Sequence, residues 1–101
     1  MIKKQFLKSK PVCKVTFSMP AEAAPEAKEM QLVGEFSEWT KSPIEMKKLK
    51  NGSFKTTVNL ETGKEYEYRY VIDGERWEND WEADAYRPNP VTSEENSVVS
   101  L

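Results

Sequence analysis

Glu65-Tyr-Glu-Tyr-Arg-Tyr-Val-Ile-Asp-Gly74 is the stretch of the 101-residue sequence that decides the fold. Tyr66, Tyr68 and Tyr70 alternate with polar residues, and a period of two residues is the pattern of a strand that buries one face. The stretch ends in Asp73-Gly74, a dipeptide that favours a hairpin turn because both residue types tolerate positive φ. We therefore predict a strand whose tyrosines face a core and whose chain reverses at residue 74.

Two similar turn signals lie before this stretch. Asn51-Gly52 and Thr62-Gly63 precede Asp73-Gly74 at intervals of 11 residues. Turn signals roughly every 8–12 residues are typical of all-β sandwiches and barrels. Apolar or β-branched residues at every second position between the first two turns predict another strand, over 54–60.

Other segments also have the composition of strands. We predict strands at 12–19, at 29–35 and at 96–101, with a short edge strand at 44–48. Residues 77–95 are predicted to form a long irregular loop. The fold class is therefore all-β: an immunoglobulin-like sandwich of about seven antiparallel strands.

Composition excludes several function classes. The chain has 15 basic and 17 acidic residues and a net charge of −2, which argues against a nucleic-acid binder. Histidine is absent and Cys13 is the single cysteine, so His-dependent catalysis and Cys or His metal sites are excluded. We expect no cofactor, no metal and no catalytic residue, and the lone cysteine favours a cytoplasmic location.

The N-terminal segment is basic. Residues 1–14 carry five lysines and no acidic residue, and no apolar run of a signal peptide or membrane span follows them. We interpret 1–11 as a basic arm and 12–101 as the sandwich domain. Neutralisation of this arm by the acidic C-terminal half is the simpler interpretation, and contact with a partner is the alternative.

Three tryptophans are the candidate binding residues. Trp39, Trp77 and Trp81 do not occupy inward positions of an alternating strand. An indole face in a loop can stack against the C–H face of a pyranose ring, and nearby polar groups can bind its hydroxyls. The candidate donors are Arg69, Lys47 or Lys48, and Asn96. The alternative is that the tryptophans belong to the core or anchor loops, and that Arg69 is a solvated charge paired with Glu67 or a cross-strand acid.

The ordered motifs Gly34-Glu-Phe-Ser-Glu-Trp39, Tyr66-Glu-Tyr-Arg-Tyr-Val-Ile-Asp-Gly74 and Asn96-Ser-Val-Val99 resemble those of family-48 carbohydrate-binding modules. These are "early set" immunoglobulin-like domains found in isoamylases, in glycogen branching enzymes and in the β-subunit of AMP-activated protein kinase. The resemblance covers about residues 12–101. It implies an early-set sandwich that binds α-glucan.

The resemblance also implies roles for single residues. Trp39 and Trp77 match the two stacking tryptophans of the glycogen-binding members, and Asn96 matches an asparagine that binds a sugar hydroxyl. Arg69 stands where those members have a lysine. Thr92 and Glu94 stand where the kinase module has a leucine that passes through the glucan ring and a threonine. Trp81 replaces the proline of the usual Asp-Pro pair and is a further candidate platform, as Lys47 is a further candidate donor.

Three functions follow as hypotheses. The first is non-catalytic binding of an α-1,4-glucan such as glycogen or starch, which would bring a separate glucan-active enzyme or kinase to the polymer. The second is a protein-interaction module that has the same fold and no sugar site. The third, a glycoside hydrolase or a domain accessory to one, is opposed by the small size of the chain, which offers no deep cleft for paired carboxylates.

Overall fold

A computed structural model describes residues 1–92 and 94–101 of the chain. Within these residues there are ten strands, three single 3₁₀ turns and no α-helix. The strands are β1 (Ile2–Phe6), β2 (Val12–Met19), β3 (Met30–Gly34), β4 (Ile44–Glu45), β5 (Lys47–Lys48), β6 (Phe54–Glu61), β7 (Glu65–Ile72), β8 (Arg76–Glu78), β9 (Ala85–Pro88) and β10 (Glu95–Ser100). No helix in the described residues is long and apolar enough to cross a membrane.

The strands form two antiparallel sheets. The first sheet has the order β1-β2-β6-β5, and the second has the order β4-β3-β7-β10-β9 with β8 paired to the C-terminal half of β7. The prediction of an all-β, early-set immunoglobulin-like sandwich is confirmed.

The core lies between the inner faces of the two sheets. From the first sheet, β2 buries Cys13, Val15, Phe17 and Met19 completely. From the second sheet, β3 buries Met30 and Leu32, and β7 buries Tyr68, Tyr70 and Ile72. Phe17 meets Tyr68 edge to face across the core, with ring centroids 5.0 Å apart. The prediction that the tyrosines of this strand face the core is therefore confirmed for Tyr68 and Tyr70.

A buried aspartate fixes the segment that follows β8. Asp80 is 1% exposed, and its Oδ2 accepts hydrogen bonds from the hydroxyls of Tyr68 (2.8 Å) and Tyr70 (2.9 Å). Burial, together with the neighbouring carboxylate, raises the pKa of both tyrosines far above the ordinary value, so both hydroxyls remain donors. The backbone N–H of Asp80 also donates to Ser97 Oγ on β10 (2.8 Å). These bonds attach the chain after β8 to the second sheet.

The predicted turns are present. Gly52, Gly63 and Gly74 all have positive φ, and Asp73 has φ 52° beside Gly74. Asp73 Oδ1 also accepts hydrogen bonds from the backbone N–H groups of Lys28 and Glu29, both at 2.9 Å. The hairpin between β7 and β8 is thereby joined to the chain that enters β3.

Several strands differ from the sequence prediction. The segment 44–48 forms two strands, because Ile44 pairs with β3 in the second sheet and Lys48 pairs with β6 in the first. The predicted loop 77–95 contains part of β8 and all of β9. Within residues 1–11, the whole of β1 pairs with β2, from Ile2 opposite Phe17 to Phe6 opposite Cys13.

Candidate functional site

The outer face of the second sheet carries the candidate site. Because Tyr68 and Tyr70 point into the core, Arg69 between them points outward. The register places Trp77 of β8 opposite Val71, which shares the outer face with Arg69. On β10, Ser97 pairs with Tyr68 and faces inward, so Asn96 faces outward. The pleat of three neighbouring strands thus collects three of the predicted residues on one surface.

Trp39 reaches the same surface from two successive 3₁₀ turns after β3. The backbone is left-handed at Glu38 (φ 52°) and at Trp39 (φ 57°), a conformation that bulky residues rarely adopt. Ser37 supports it: its Oγ accepts a hydrogen bond from the Gly34 N–H (3.1 Å) and lies 3.0 Å from the carbonyl oxygen of Trp39. Strained backbone of this kind is concentrated at binding sites, since surrounding contacts must hold it.

Arg69 is held rigidly although it carries a charge. It is 9% exposed, and its Nε and Nη2 donate to the carbonyl oxygen of Glu95 at 3.2 and 3.1 Å. Nη2 also donates to Glu94 Oε2 at 2.6 Å. The guanidinium carbon lies 5.7 Å from the centroid of the Trp77 ring, within cation–π distance. The fixed guanidinium therefore packs against the indole of Trp77, which is 42% exposed.

Asn96 carries an unpaired buried atom. It is 4% exposed, and its Nδ2 donates to Glu67 Oε1 at 3.1 Å. None of the described residues donates a hydrogen bond to its Oδ1. A buried acceptor without a partner costs about 1–3 kcal/mol, so such an atom is suited to receive a donor from a ligand.

These side chains line a single open groove of about 410 Å³. The lining residues are Glu35, Trp39, Glu67, Arg69, Trp77, Asn89, Pro90, Val91, Thr92 and Asn96. The groove combines two indoles with both hydrogen-bond donors and hydrogen-bond acceptors. Such a surface matches a ligand that has apolar ring faces and a rim of hydroxyls.

Comparison with known families agrees with this geometry. The family model described as the glycogen recognition site of AMP-activated protein kinase matches residues 22–97. The chain belongs to this family. The family is a non-catalytic carbohydrate-binding module, and the match spans all four of Trp39, Arg69, Trp77 and Asn96. No curated protein sequence matches the chain significantly.

The other predicted residues of this glycogen recognition domain lie elsewhere. Lys47 is exposed on β5, which belongs to the first sheet, and Lys48 donates to the carbonyl oxygen of Ala27 at 2.8 Å. Trp81 is 49% exposed in the turn after β8. None of these three side chains lines the groove.

Sequence reasoning missed several lining residues of the glycogen recognition domain. Glu67 could have been found, because a period of two places it on the same face as Arg69. Glu35 lies beside it and accepts a hydrogen bond from the Glu67 N–H at 2.7 Å. Nothing in the sequence identified residues 89–91 as lining residues, since only the fold brings that loop to the groove. The alternative for Arg69 is a solvated charge paired with Glu67 or a cross-strand acid. The observed side chain is 9% exposed, and its ion pair is with Glu94.

No group of acidic or cysteine residues in the described part of the glycogen recognition domain could hold a metal ion. The polar and aromatic groups that line the groove are indoles, amides, carboxylates, one hydroxyl and one guanidinium.

Proposed function

We propose that this domain binds α-1,4-glucan chains without catalysis. In this proposal Trp39 and Trp77 stack against pyranose faces. Arg69 and Asn96 form hydrogen bonds with hydroxyl groups of the sugar. The role of the bound domain is to bring a separate glucan-active enzyme or kinase to glycogen or a starch-like polymer.

The observation that carries the proposal is the convergence of these four side chains in one groove. They come from three separate parts of the chain: the turns after β3, the hairpin of β7 and β8, and β10. An indole face carries a negative quadrupole, which suits the slightly positive C–H face of a sugar ring. Asn96 lines the groove, and a sugar hydroxyl that reached its Oδ1 would satisfy an acceptor that no described residue satisfies.

Arg69 has a donor available for the same purpose. Its Nε and Nη2 are engaged by Glu95 and Glu94, whereas Nη1 donates to none of the described residues. Since the guanidinium is already fixed, little side-chain entropy is lost when a ligand accepts from Nη1.

A glucan is favoured over a protein ligand by the kind of surface that surrounds the indoles. Trp39 and Trp77 share the groove with Arg69, Asn96 and Glu67, whose donors and acceptors match the hydroxyls of a sugar. The open groove also predicts weak binding, because only a few stacks and hydrogen bonds offset the ordering of a flexible chain.

Affinity electrophoresis in gels with and without glycogen tests the proposal. We expect glycogen to retard the wild-type protein. Trp39→Ala and Trp77→Ala should each reduce the affinity about tenfold or more, equivalent to about 1.4 kcal/mol. Circular dichroism establishes that each variant is folded.

Two further variants make the test specific. Phe6→Ala removes an aromatic side chain that is 55% exposed on the first sheet, and it should leave retardation unchanged. Trp81→Ala removes an exposed indole outside the groove, so the proposal expects retention of binding. Absence of retardation of the wild type at high glycogen loading would contradict glucan binding and would favour a protein partner.

A further inference from the structure

The first sheet ends in β1, and one edge of this strand pairs with no other strand of the described residues. The amino group of Met1 donates to the carbonyl oxygen of Ser18 at 2.8 Å, and the Ser18 N–H donates back at 2.9 Å. This exchange fixes the phase of the antiparallel ladder between β1 and β2, in which hydrogen-bonded and non-hydrogen-bonded pairs alternate. The N–H and C=O groups of Ile2, Lys4 and Phe6 therefore point away from β2, toward the free edge.

The core is left open beside this free edge. Phe6 lies opposite Cys13, which is completely buried, so the phenyl ring belongs to the inner face of the sheet. The ring is nevertheless 55% exposed, and Leu7 beside it is 38% exposed. A further strand laid along β1 would remove this apolar surface from water, which is favourable.

The same end of the first sheet is strongly basic. Residues 1–14 contain five lysines and no acidic residue, and only Lys4 is paired with a carboxylate, that of Asp84. The other four are exposed and have no carboxylate of the described residues within 4.0 Å: Lys3, Lys8, Lys10 and Lys14. The acidic half of the chain thus leaves most of this charge free to attract an acidic partner.

We propose that β1 receives an acidic, extended segment of a partner protein as an added antiparallel strand. An exposed sheet edge recognises a peptide backbone, and antiparallel pairing is slightly more stable than parallel pairing. The segment bonds to the outward N–H and C=O groups of Ile2, Lys4 and Phe6. Its inward side chains are apolar and cover the Phe6 ring, and its outward carboxylates lie beside Lys3.

The lysines argue against a second copy of the chain as the occupant. Two β1 strands paired with each other would bring Lys3 and Lys4 of both copies onto adjacent strands, where like charges repel. A polyanion such as a nucleic acid would contact the lysines but would leave the strand edge and Phe6 without a partner. The combination of a free edge, an uncovered aromatic ring and basic side chains fits an acidic polypeptide.

The free edge of β1 is separate from the glucan groove. The groove lies on the outer face of the second sheet, whereas β1 ends the first sheet, and no described residue that lines the groove belongs to β1. A partner held at β1 would therefore leave the groove accessible. The inference does not depend on glucan binding, and the two kinds of binding can be measured separately.

Fluorescence anisotropy with a labelled, acetylated peptide of four Glu-Val repeats tests the inference. We expect saturable binding to the wild-type protein. Phe6→Ala should weaken this binding about fivefold or more, because the ring that the peptide covers is lost. The same peptide N-methylated at its valines keeps its charge but cannot donate from the residues that face β1, so it should bind about tenfold or more weakly.

Charge reversal tests the location. The variant Lys3→Glu/Lys8→Glu/Lys10→Glu should weaken peptide binding about tenfold or more. The matched control, Lys47→Glu/Lys50→Glu/Lys55→Glu, changes the net charge equally with exposed lysines at the other side of the first sheet. It should weaken binding no more than about twofold, since salt screens distant charges.

Amide hydrogen exchange followed by NMR tests the strand pairing in the wild-type protein, without any variant. The peptide should slow exchange at Ile2, Lys4 and Phe6, whose N–H groups point to the free edge.

Four results would overturn the inference. They are absence of peptide binding, equal binding of the N-methylated peptide, equal loss in the two charge-reversal variants, and unchanged exchange at the three amides. The second and third would mean that the lysines attract anions without strand addition. Trp77→Ala should bind the peptide as the wild type does, and Phe6→Ala should still be retarded by glycogen, so failure of glucan binding and failure of this inference are distinguishable.

Discussion

Gly34 lies where β3 ends and the turns that carry Trp39 begin. A Cβ atom at this position would lie 2.7 Å from the carbonyl oxygen of Glu67 and 2.9 Å from Tyr68 Cβ. Both neighbours belong to the central strand β7, so neither can move without disturbing the sheet. The requirement for glycine in the Gly34–Trp39 motif is thus one of space and not of dihedral angle, since φ here is −179°.

We therefore expect Gly34→Ala to lower the free energy of unfolding by about 1–3 kcal/mol, as overpacking typically does. Urea denaturation measures the change. Gly63→Ala is the comparison: no atom lies within 4 Å of its Cβ, and its φ of 80° should cost only about 1 kcal/mol. Equal stability of Gly34→Ala and the wild type would show that β7 can move away.

Asn96 gives a prediction about binding. Asn96→Ala removes the buried acceptor Oδ1, so we expect the affinity for maltoheptaose to fall about five- to tenfold, in line with about 1 kcal/mol for one hydrogen bond. Calorimetric titration measures this fall. Asn59→Ala, on the exposed face of β6, is the matched control. Unchanged affinity in a folded Asn96→Ala protein would remove this residue from the site.

At the level of residues, sequence reasoning succeeded where a period of two decides orientation. It placed Tyr68 inward, and the same alternation turns Arg69 outward. It did not find the role of Asp80, because a single acidic letter within an acidic segment gives no sign of burial. The indirect signal was that two inward tyrosine hydroxyls require an acceptor.

At the scale of elements, Asp84 joins β1 to the second sheet. Its Oδ2 accepts from Lys4 Nζ on β1 at 2.7 Å and from the backbone N–H of Ser100 on β10 at 2.7 Å. Partial burial acts to raise the pKa of Asp84, but the hydrogen bonds from Lys4 and Ser100 outweigh it, and the pKa lies below its ordinary value of 3.8. A carboxyl with a depressed pKa stabilises the fold above its unfolded pKa and loses that contribution as the pH falls through the folded pKa.

Asp84→Asn should therefore lower the free energy of unfolding by about 1 kcal/mol at pH 7, the usual worth of a hydrogen bond to a partly buried charge. The difference in the free energy of unfolding between variant and wild type should decrease progressively as the pH falls below about 4. Urea denaturation at several pH values measures it. Glu26→Gln, which neutralises an exposed carboxylate outside these contacts, is the control variant. A difference in the free energy of unfolding between Asp84→Asn and the wild type that stays constant with pH would contradict stabilisation of the Asp84 carboxylate by Lys4 and Ser100.

Strand prediction failed for short or charged elements. Ile2–Phe6 has two lysines and a glutamine among five residues, so its alternation is hidden, and its strand character comes from pairing with β2. Arg76–Glu78 has only three residues, too few for a period to appear. Its position depends on the Asp73-Gly74 turn, which the sequence did predict.

At the scale of the whole molecule, binding and stability are carried by different surfaces. The core between the sheets contains Phe17, whereas Trp39 and Trp77 lie on the outer face of the second sheet. The Trp39→Ala/Trp77→Ala double variant should therefore lose glycogen binding and less than about 1 kcal/mol of stability for each substitution. Phe17→Leu should lose about 1–2 kcal/mol and keep its binding.

Paired urea denaturation and affinity electrophoresis separate these effects. A loss of more than about 3 kcal/mol in the double variant would mean that the tryptophans anchor the fold, as the alternative interpretation of the sequence holds. The sequence predicted four side chains of the groove, and all four occupy positions that the resemblance to the family identified: Trp39, Arg69, Trp77 and Asn96. Of the two glutamates that line the groove, Glu67 follows from the period of two in β7, whereas Glu35 and residues 89–91 reach the groove through tertiary contacts that local patterns do not reveal.

The long ladder between β2 and β6 has a consequence for how the chain acquires its structure. Val12 pairs with Glu61 and Met19 pairs with Phe54, so the central pair of the first sheet joins distant parts of the sequence. Such non-local pairing slows folding to the range of about milliseconds to seconds typical of β-sandwiches. During synthesis β2 leaves the ribosome well before β6 has been made. Until then its apolar face is exposed to solvent and can associate with other nascent chains.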